Sequence, residues 1–390
     1  MSKKYALFLA ILFCGFLGSI AAANALTPDK SFSEIENRNL AQKPTLTADD
    51  FRISFGSLER SGSIFTGKFM SDYEAYVTDQ FAGRDGWTAA KAYAERLVGK
   101  QENNGVYFCA DSALISRFDA PDPSKVTNNL NYVNKFVENV SVPVYFSLIP
   151  GAATVWADKL PAGAPNYDQK QIIDQAADTS SAQFIDLYTA LMDHKDEAIF
   201  YRTDHHWTSL GAYYGYAALM ESLGIEPVPL SSYEKNTVTT EFYGTVFSSS
   251  GVRWVQPDEI DIYVPEEGIS VVSHTYDLQG NPVEEPRELY DESYLNKKDK
   301  YSMFLGGQQP LCVVSTGNTD LPKLLLIRDS YTDSLVPFLT AHFSEIHLID
   351  LRYYKLSASQ YIKDNGIDMA IVLYSVPNFV SDSNLVWLGR

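Results

Sequence analysis

The chain has 390 residues, 45% of them hydrophobic and 21% charged, and its 31 basic and 49 acidic residues give a formal charge of −18. That length points to two or three structural units, and the composition excludes a disordered or collagen-like chain. The acidic balance excludes a nucleic-acid surface, which needs a basic stripe, and a single long apolar run excludes a polytopic membrane protein.

The apolar run opens the chain. Lys3 and Lys4 precede an uncharged stretch from Tyr5 to Pro28, most apolar over Ala6–Leu17. Ala21-Ala22-Ala23 and Ala23-Asn24-Ala25 both fit an Ala-x-Ala cleavage site. This is the pattern of a secretory signal over residues 1–25, removed from an exported chain. The alternative is an uncleaved anchor that tethers the chain to a membrane, because the run approaches the roughly 20 residues that span a bilayer. Residues 26–60 are polar and read as an extended arm. Phe65, Phe69, Tyr73, Tyr76 and Val77 then recur at helical spacings. A second helix is expected from about Trp87 to Val98, so residues 26–100 form an arm with helices.

From residue 101 onward, apolar strands alternate with helical segments. Helices over Val126–Val140 and Gln169–Ala177 precede strands at Val142–Ile149 and Gln183–Leu187. Further strands are expected at Lys323–Ile327, Glu345–Ile349 and Met369–Leu373. Several are continuous apolar runs, as in parallel strands buried on both faces. Strand–helix repetition points the same way. The predicted fold is therefore an α/β three-layer sandwich with a mainly parallel sheet. Residues 228–310 break the rhythm with short β-type stretches such as Thr237–Val246 and Glu259–Val264, and read as an irregular β-containing insertion. Cys109 and Cys312 are an even pair in an exported chain; they are either a disulfide or two buried thiols. Neither has metal-type spacing.

Two segments carry chemistry. Tyr201-Arg202-Thr203-Asp204-His205-His206-Trp207-Thr208 follows an apolar stretch, Ala198–Phe200, and precedes a helical pattern. Sites in open α/β sheets form at such strand-to-helix loops. A carboxylate two residues from an imidazole can orient the ring and stabilise its cation. The bland reading is a structural hydrogen-bonded pair. A metal would need a third or fourth ligand that the sequence does not supply, so no metal is expected. In the second segment, the buried run Leu324–Ile327 leads through Arg328 into Asp329-Ser330 and then a helical pattern. Ser330 thus stands near a helix N-terminus, where free amides can hold an oxyanion. Asp and Ser are also favoured helix caps.

Together these segments resemble the DHHW family, named for the tetrad that stands here as Asp204–Trp207. That family is similar to the alginate O-acetylation proteins AlgX and AlgJ, whose catalytic domain is SGNH-hydrolase-like. Phe32–Arg38, Tyr76–Arg84, Gly105–Phe108, Leu148–Pro150, Thr203–Gly211, Arg328–Tyr331 and Asp350–Tyr354 look like the family's signatures, so the resemblance covers nearly the whole chain after the signal. It implies an SGNH-hydrolase-like domain over 101–390 and a Ser–His–Asp triad of Ser330, His206 and Asp204, with His205 as second choice for the base. Where relatives carry an asparagine after Gly-Gly, this chain has Gly306-Gly307-Gln308. Gln308 is thus the oxyanion-hole candidate. The implied activity is O-acetylation of a cell-envelope or extracellular polysaccharide, without a cofactor, served by a membrane-bound acetyl-exporting acyltransferase. An acetylesterase, or a non-catalytic glycan-binding scaffold on the same fold, are the alternatives.

Overall fold

The computed structural model describes residues 3–54, 61–265, 268–276 and 282–390. The chain divides into two units: residues up to Lys100 with Gly251–Arg253, and Gln101–Ser250 with Trp254–Arg390.

In the first unit, Lys3–Leu26 is a helix with no buried residue. It is the one helix among the described residues long and apolar enough to cross a membrane, as a signal peptide or signal anchor is. The expected arm is mostly irregular, with a short bridge between Phe32–Ser33 and Arg38–Asn39 and a 3-10 turn at Ala48–Phe51; its residues 55–60 lie outside the described residues. Arg38 pins it by a two-pronged hydrogen bond to buried Asp79, at 2.9 and 2.6 Å. Such a fork fixes direction as well as distance. The expected first helix is split at Gly67 into Ser63–Thr66 and Lys68–Asp79, and the second runs over Arg84–Leu97.

The second unit is built on an eight-stranded sheet. In chain order its strands are β1 (Val144–Ile149), β2 (Gln183–Phe184), β3 (Ser270–Tyr276), β4 (Pro282–Arg287), β5 (Leu311–Ser315), β6 (Lys323–Arg328), β7 (Glu345–Ile349) and β8 (Met369–Ser375). Across the sheet the order is β4-β3-β5-β7-β6-β8-β1-β2. The strands from β7 to β2 are parallel, and β5, β3 and β4 add to them antiparallel. Part of the stretch read as an insertion is therefore sheet: β3 and β4 extend its edge. They carry polar and charged residues such as Ser273, His274, Glu284 and Glu285, unlike the apolar runs of the central strands.

At the centre the physics is different. Leu324 to Arg328 and Ile346 to Ile349 are buried without alternation, so cover lies on both faces. The helices Pro123–Asn139, Lys170–Thr179 and Ser209–Ser222 supply part of that cover, through Val133, Phe136, Ile172, Ile173, Tyr216 and Leu219 in one core with the strands. Register pairs Ile327 with Ile349 and Val372, and Val372 with Phe146. The carboxyl ends of β1, β6, β7 and β8 thus share one edge of the sheet, where open α/β folds carry their sites.

Both cysteines of this unit are free thiols. Cys312 is buried on β5, and Cys109 donates to the Tyr107 carbonyl at 3.7 Å. Burial pushes each thiol up to about 12, so neither is a thiolate at neutral pH.

Candidate active site

Ala198–Phe200 is not a strand of the sheet. Phe200 meets Trp207 in a single antiparallel bridge, which closes Tyr201–His206 into a tight loop before the helix Ser209–Ser222. Thr208 caps that helix by accepting from the Gly211 amide. The loop is pinned from several sides. Asp258, buried, accepts from the Arg202 and Thr203 amides at 3.1 and 2.8 Å and from the Thr203 hydroxyl at 2.6 Å. The Trp207 indole N–H donates to the Tyr331 carbonyl at 2.8 Å and to Ser334 Oγ at 3.0 Å, which ties this loop to the one after β6. Trp207 packs against Gly215, where a Cβ would come within 2.7 Å of its ring.

On this scaffold the three expected side chains stand in series. Asp204 Oδ1 lies 2.6 Å from His206 Nδ1, and His206 Nε2 lies 2.9 Å from Ser330 Oγ. The His206 amide also donates to Asp204 Oδ1, at 3.0 Å. With Nδ1–H donated to the carboxylate, Nε2 is left to accept the serine hydroxyl. His205 lies beside this series, its Nδ1 3.4 Å from Asp204 Oδ1, and Ser330 Oγ is hydrogen-bonded to His206. The His205 Nδ1 also lies 2.6 Å from Thr245 Oγ1, and its ring edge is half-exposed.

Thr245 completes the carboxylate's shell. Its amide and hydroxyl donate to Asp204 Oδ2 at 2.7 and 2.9 Å. Gly244 makes room for this approach, because a Cβ there would sit 2.2 Å from Asp204 Oδ2. Burial alone would raise the Asp204 carboxyl, but the two imidazoles beside it outweigh that and hold it well below its ordinary range. His206 is lowered, by burial first and the neighbouring His205 second. His205 is raised: desolvation opposes its charge, and Asp204 prevails. His206 is thus neutral at neutral pH and able to take a proton.

Asp204, His205 and His206 bring ligand-type atoms within 4.8 Å of one another. Asp204 Oδ1 is spent on His206 Nδ1, however, and Nε2 faces Ser330, so the donor set serves a hydrogen-bond series.

The turn bearing Ser330 departs from the expected helix. Ser330–Ser334 is a 3-10 turn, followed by a single α-turn at Val336–Leu339. Buried Asp329 caps it: Oδ1 accepts the Tyr331 amide at 3.1 Å, and the Asp329 carbonyl accepts Thr332 at 3.2 Å. A helix dipole therefore contributes little at this short turn. Asp329 Oδ2 is in turn held by the Ser375 amide and hydroxyl, at 2.9 and 2.6 Å, and by Asn378 at 2.8 Å. Gln308 lies exposed, its side-chain oxygen accepting from the Tyr353 hydroxyl. Beside His205 and Tyr331 opens a pocket of about 90 Å³, walled by Ile115, Phe118, Ala153, Val246 and Pro377.

Sequence reasoning passed over Thr245 and Tyr301. The ring of Tyr301 lies against His206, and its hydroxyl donates to the Ser330 carbonyl at 3.1 Å. Both residues come from segments remote in the chain with no local pattern of their own, and only the folded loop brings them to the imidazole.

Comparison with known proteins bears on this arrangement. The family model described as DHHW protein matches residues 143–349, a span that includes both site loops. The structure is similar to that of a DHHW family protein from Eubacterium siraeum, with 29% identity over 73% of this chain and 95% of that one and a TM-score of 0.63. Bacillus cereus PatB1, solved with a sulfonyl adduct, shares the fold at 22% identity over 71% of this chain and 96% of that one, with a TM-score of 0.59. The O-acetyltransferase domain of Pseudomonas putida AlgJ aligns at 15% identity over 73% and 98%, with a TM-score of 0.44. No curated protein matches the sequence.

Proposed function

The chain belongs to the DHHW protein family, and on that premise we propose that it is an exported, serine-dependent acyltransferase that O-acetylates a cell-envelope or extracellular polysaccharide through an SGNH-hydrolase-like unit. One observation carries this reading: the His206 ring lies between the Asp204 carboxylate, at 2.6 Å, and the Ser330 hydroxyl, at 2.9 Å. That is the geometry of an acid, a base and a nucleophile acting as a unit.

In this mechanism Ser330 Oγ attacks the carbonyl carbon of an acetyl ester as its proton passes to His206 Nε2. The scheme assigns the oxyanion to the Ser330 amide, with Gln308 as its candidate side-chain donor. Collapse of the intermediate expels the donor's alcohol, which takes the proton back from His206. A sugar hydroxyl, losing its proton to His206, then attacks acetyl-Ser330, and the serine is released. A membrane-bound acetyl exporter is the donor partner this scheme calls for. Water in place of the sugar makes the same residues an acetylesterase.

The test is acetyl transfer from an aryl acetate by the purified chain, with and without a soluble oligosaccharide, following phenol release and acetylated sugar. Ser330→Ala is expected to lose nearly all phenol release, and acetylated sugar should form only with the wild-type serine. Phenol release unaffected by Ser330→Ala would remove the covalent mechanism and leave a glycan-binding scaffold as the better reading.

A further inference from the structure

Tyr301 lies in a 3-10 turn, Tyr301–Met303, outside both motif loops. Its ring is parallel to the His206 imidazole within 6°, with centroids 3.7 Å apart. Its hydroxyl donates to the Ser330 carbonyl at 3.1 Å and lies 3.1 Å from Ser334 Oγ, which can donate to it in turn. The ring is fully enclosed by a small core of its own, edge-on to Tyr201 and tilted against Phe304. One side chain therefore touches the base through its face and the nucleophile's backbone through its oxygen.

We infer that Tyr301 is a positioning residue that fixes the His206 ring against Ser330 and stabilises its protonated form through the π face. The link to rate rests on the acyl-transfer reading, whereas the effect on His206 itself does not. A phenol face is electron-rich and attracts a stacked cation. At neutral pH the imidazolium forms when His206 takes the serine's proton, so the attraction grows as the reaction proceeds. Burial and His205 both disfavour that cation, and the stack offsets part of this. The other groups facing His206 are Asp204 and His205 from its own loop and Tyr331 and Asp329 from the nucleophile turn. Tyr301 itself stays neutral, its phenol pushed well above the ordinary value by burial.

The test compares two replacements of unchanged shape, in the full chain. Tyr301→Phe keeps the π face and drops the hydroxyl. Pentafluorophenylalanine at position 301 keeps the shape and reverses the ring's charge distribution. The midpoint of His206 is read by NMR, assigned with His206→Ala, and the acid limb of aryl acetate hydrolysis is followed in parallel. The midpoint should stay near wild type in Tyr301→Phe and fall by about half a pH unit or more with the fluorinated ring. Tyr301→Phe should also lower kcat several-fold at unchanged KM, through the loosened Ser330 carbonyl. Equal His206 midpoints in the two proteins would overturn the π-face assignment, and an unchanged kcat in Tyr301→Phe would overturn the clamp. A shifted midpoint in a protein whose wild type hydrolyses no ester would instead count against the acyl-transfer reading and leave the stack standing.

Discussion

Asp204 receives hydrogen bonds from two sides: one oxygen serves His206, and the other serves Thr245. Its role in the proposed chemistry is to hold the Nδ1–H tautomer. Asp204→Asn would present an amide NH2 to Nδ1 and favour the wrong tautomer, so hydrolysis of an aryl acetate should fall by roughly 10³–10⁴. His205→Ala should keep most of the activity, because the Ser330 hydroxyl meets His206 and His205 meets Thr245. The pH profile has a definite sign. His206 is lowered from its ordinary 6.5, and a base works only when neutral. The acid limb of kcat/KM should therefore lie below 6.5, with activity present above it and lost as the pH falls through the lowered value. An acid limb above 6.5 would mean that another group, or a charged His206, controls the step.

At the scale of elements, the turn after β6 is held less by helical structure than by Asp329. Its carboxylate gathers the Tyr331 backbone amide, the Ser375 backbone amide and hydroxyl, and the Asn378 side-chain NH2, and so locks the nucleophile turn to the end of β8. Beneath it Arg328 is buried in an ion pair with Asp333 at 3.0 Å. Asp329→Ala would leave several buried donors unpaired at about 1–3 kcal/mol each. Urea unfolding should show a loss of about 3 kcal/mol or more, and hydrolysis should fall even where the chain remains folded. A stable, fully active Asp329→Ala would contradict this account.

The same elements show what the sequence discloses and what it withholds. Continuous runs such as Leu324-Leu325-Leu326-Ile327 announce buried parallel strands, because no polar residue interrupts them on either face. β3 and β4 pass unnoticed because their edge ribbon carries His274, Glu284 and Glu285 among its apolar residues. Asp204, His206 and Ser330 are legible because they sit in compact motifs that match a family. Thr245 and Tyr301 are not, since their places follow from the folded path of the chain. The helix dipole expected at Ser330 fails for a local reason: the chain after Asp329 makes only the 3-10 turn Ser330–Ser334, whose Tyr331 amide the Asp329 carboxylate takes.

At the scale of the whole molecule, the candidate site residues all belong to the unit made of Gln101–Ser250 and Trp254–Arg390. On the proposed reading, hydrolysis of a small ester should not depend on the N-terminal helices. A chain beginning at Gln101 should hydrolyse an aryl acetate within a few-fold of the full chain, while transfer to a polysaccharide is free to depend on the first unit. Loss of small-ester hydrolysis in a folded truncated chain would mean that the first unit contributes to the site. In the exported setting proposed here, the acidic surface serves solubility, and the helix Lys3–Leu26 is the part that addresses a membrane.

The proposed chemistry turns on Ser330 as a nucleophile activated by His206. Its most direct test is labelling of the purified chain with a fluorophosphonate, followed by peptide mapping. The label should fall on Ser330, be blocked by prior acylation, be slowed severely by His206→Ala and remain nearly unchanged in His205→Ala. A wild-type chain that takes no label, or takes it at another residue while Ser330→Ala labels equally well, would contradict the account.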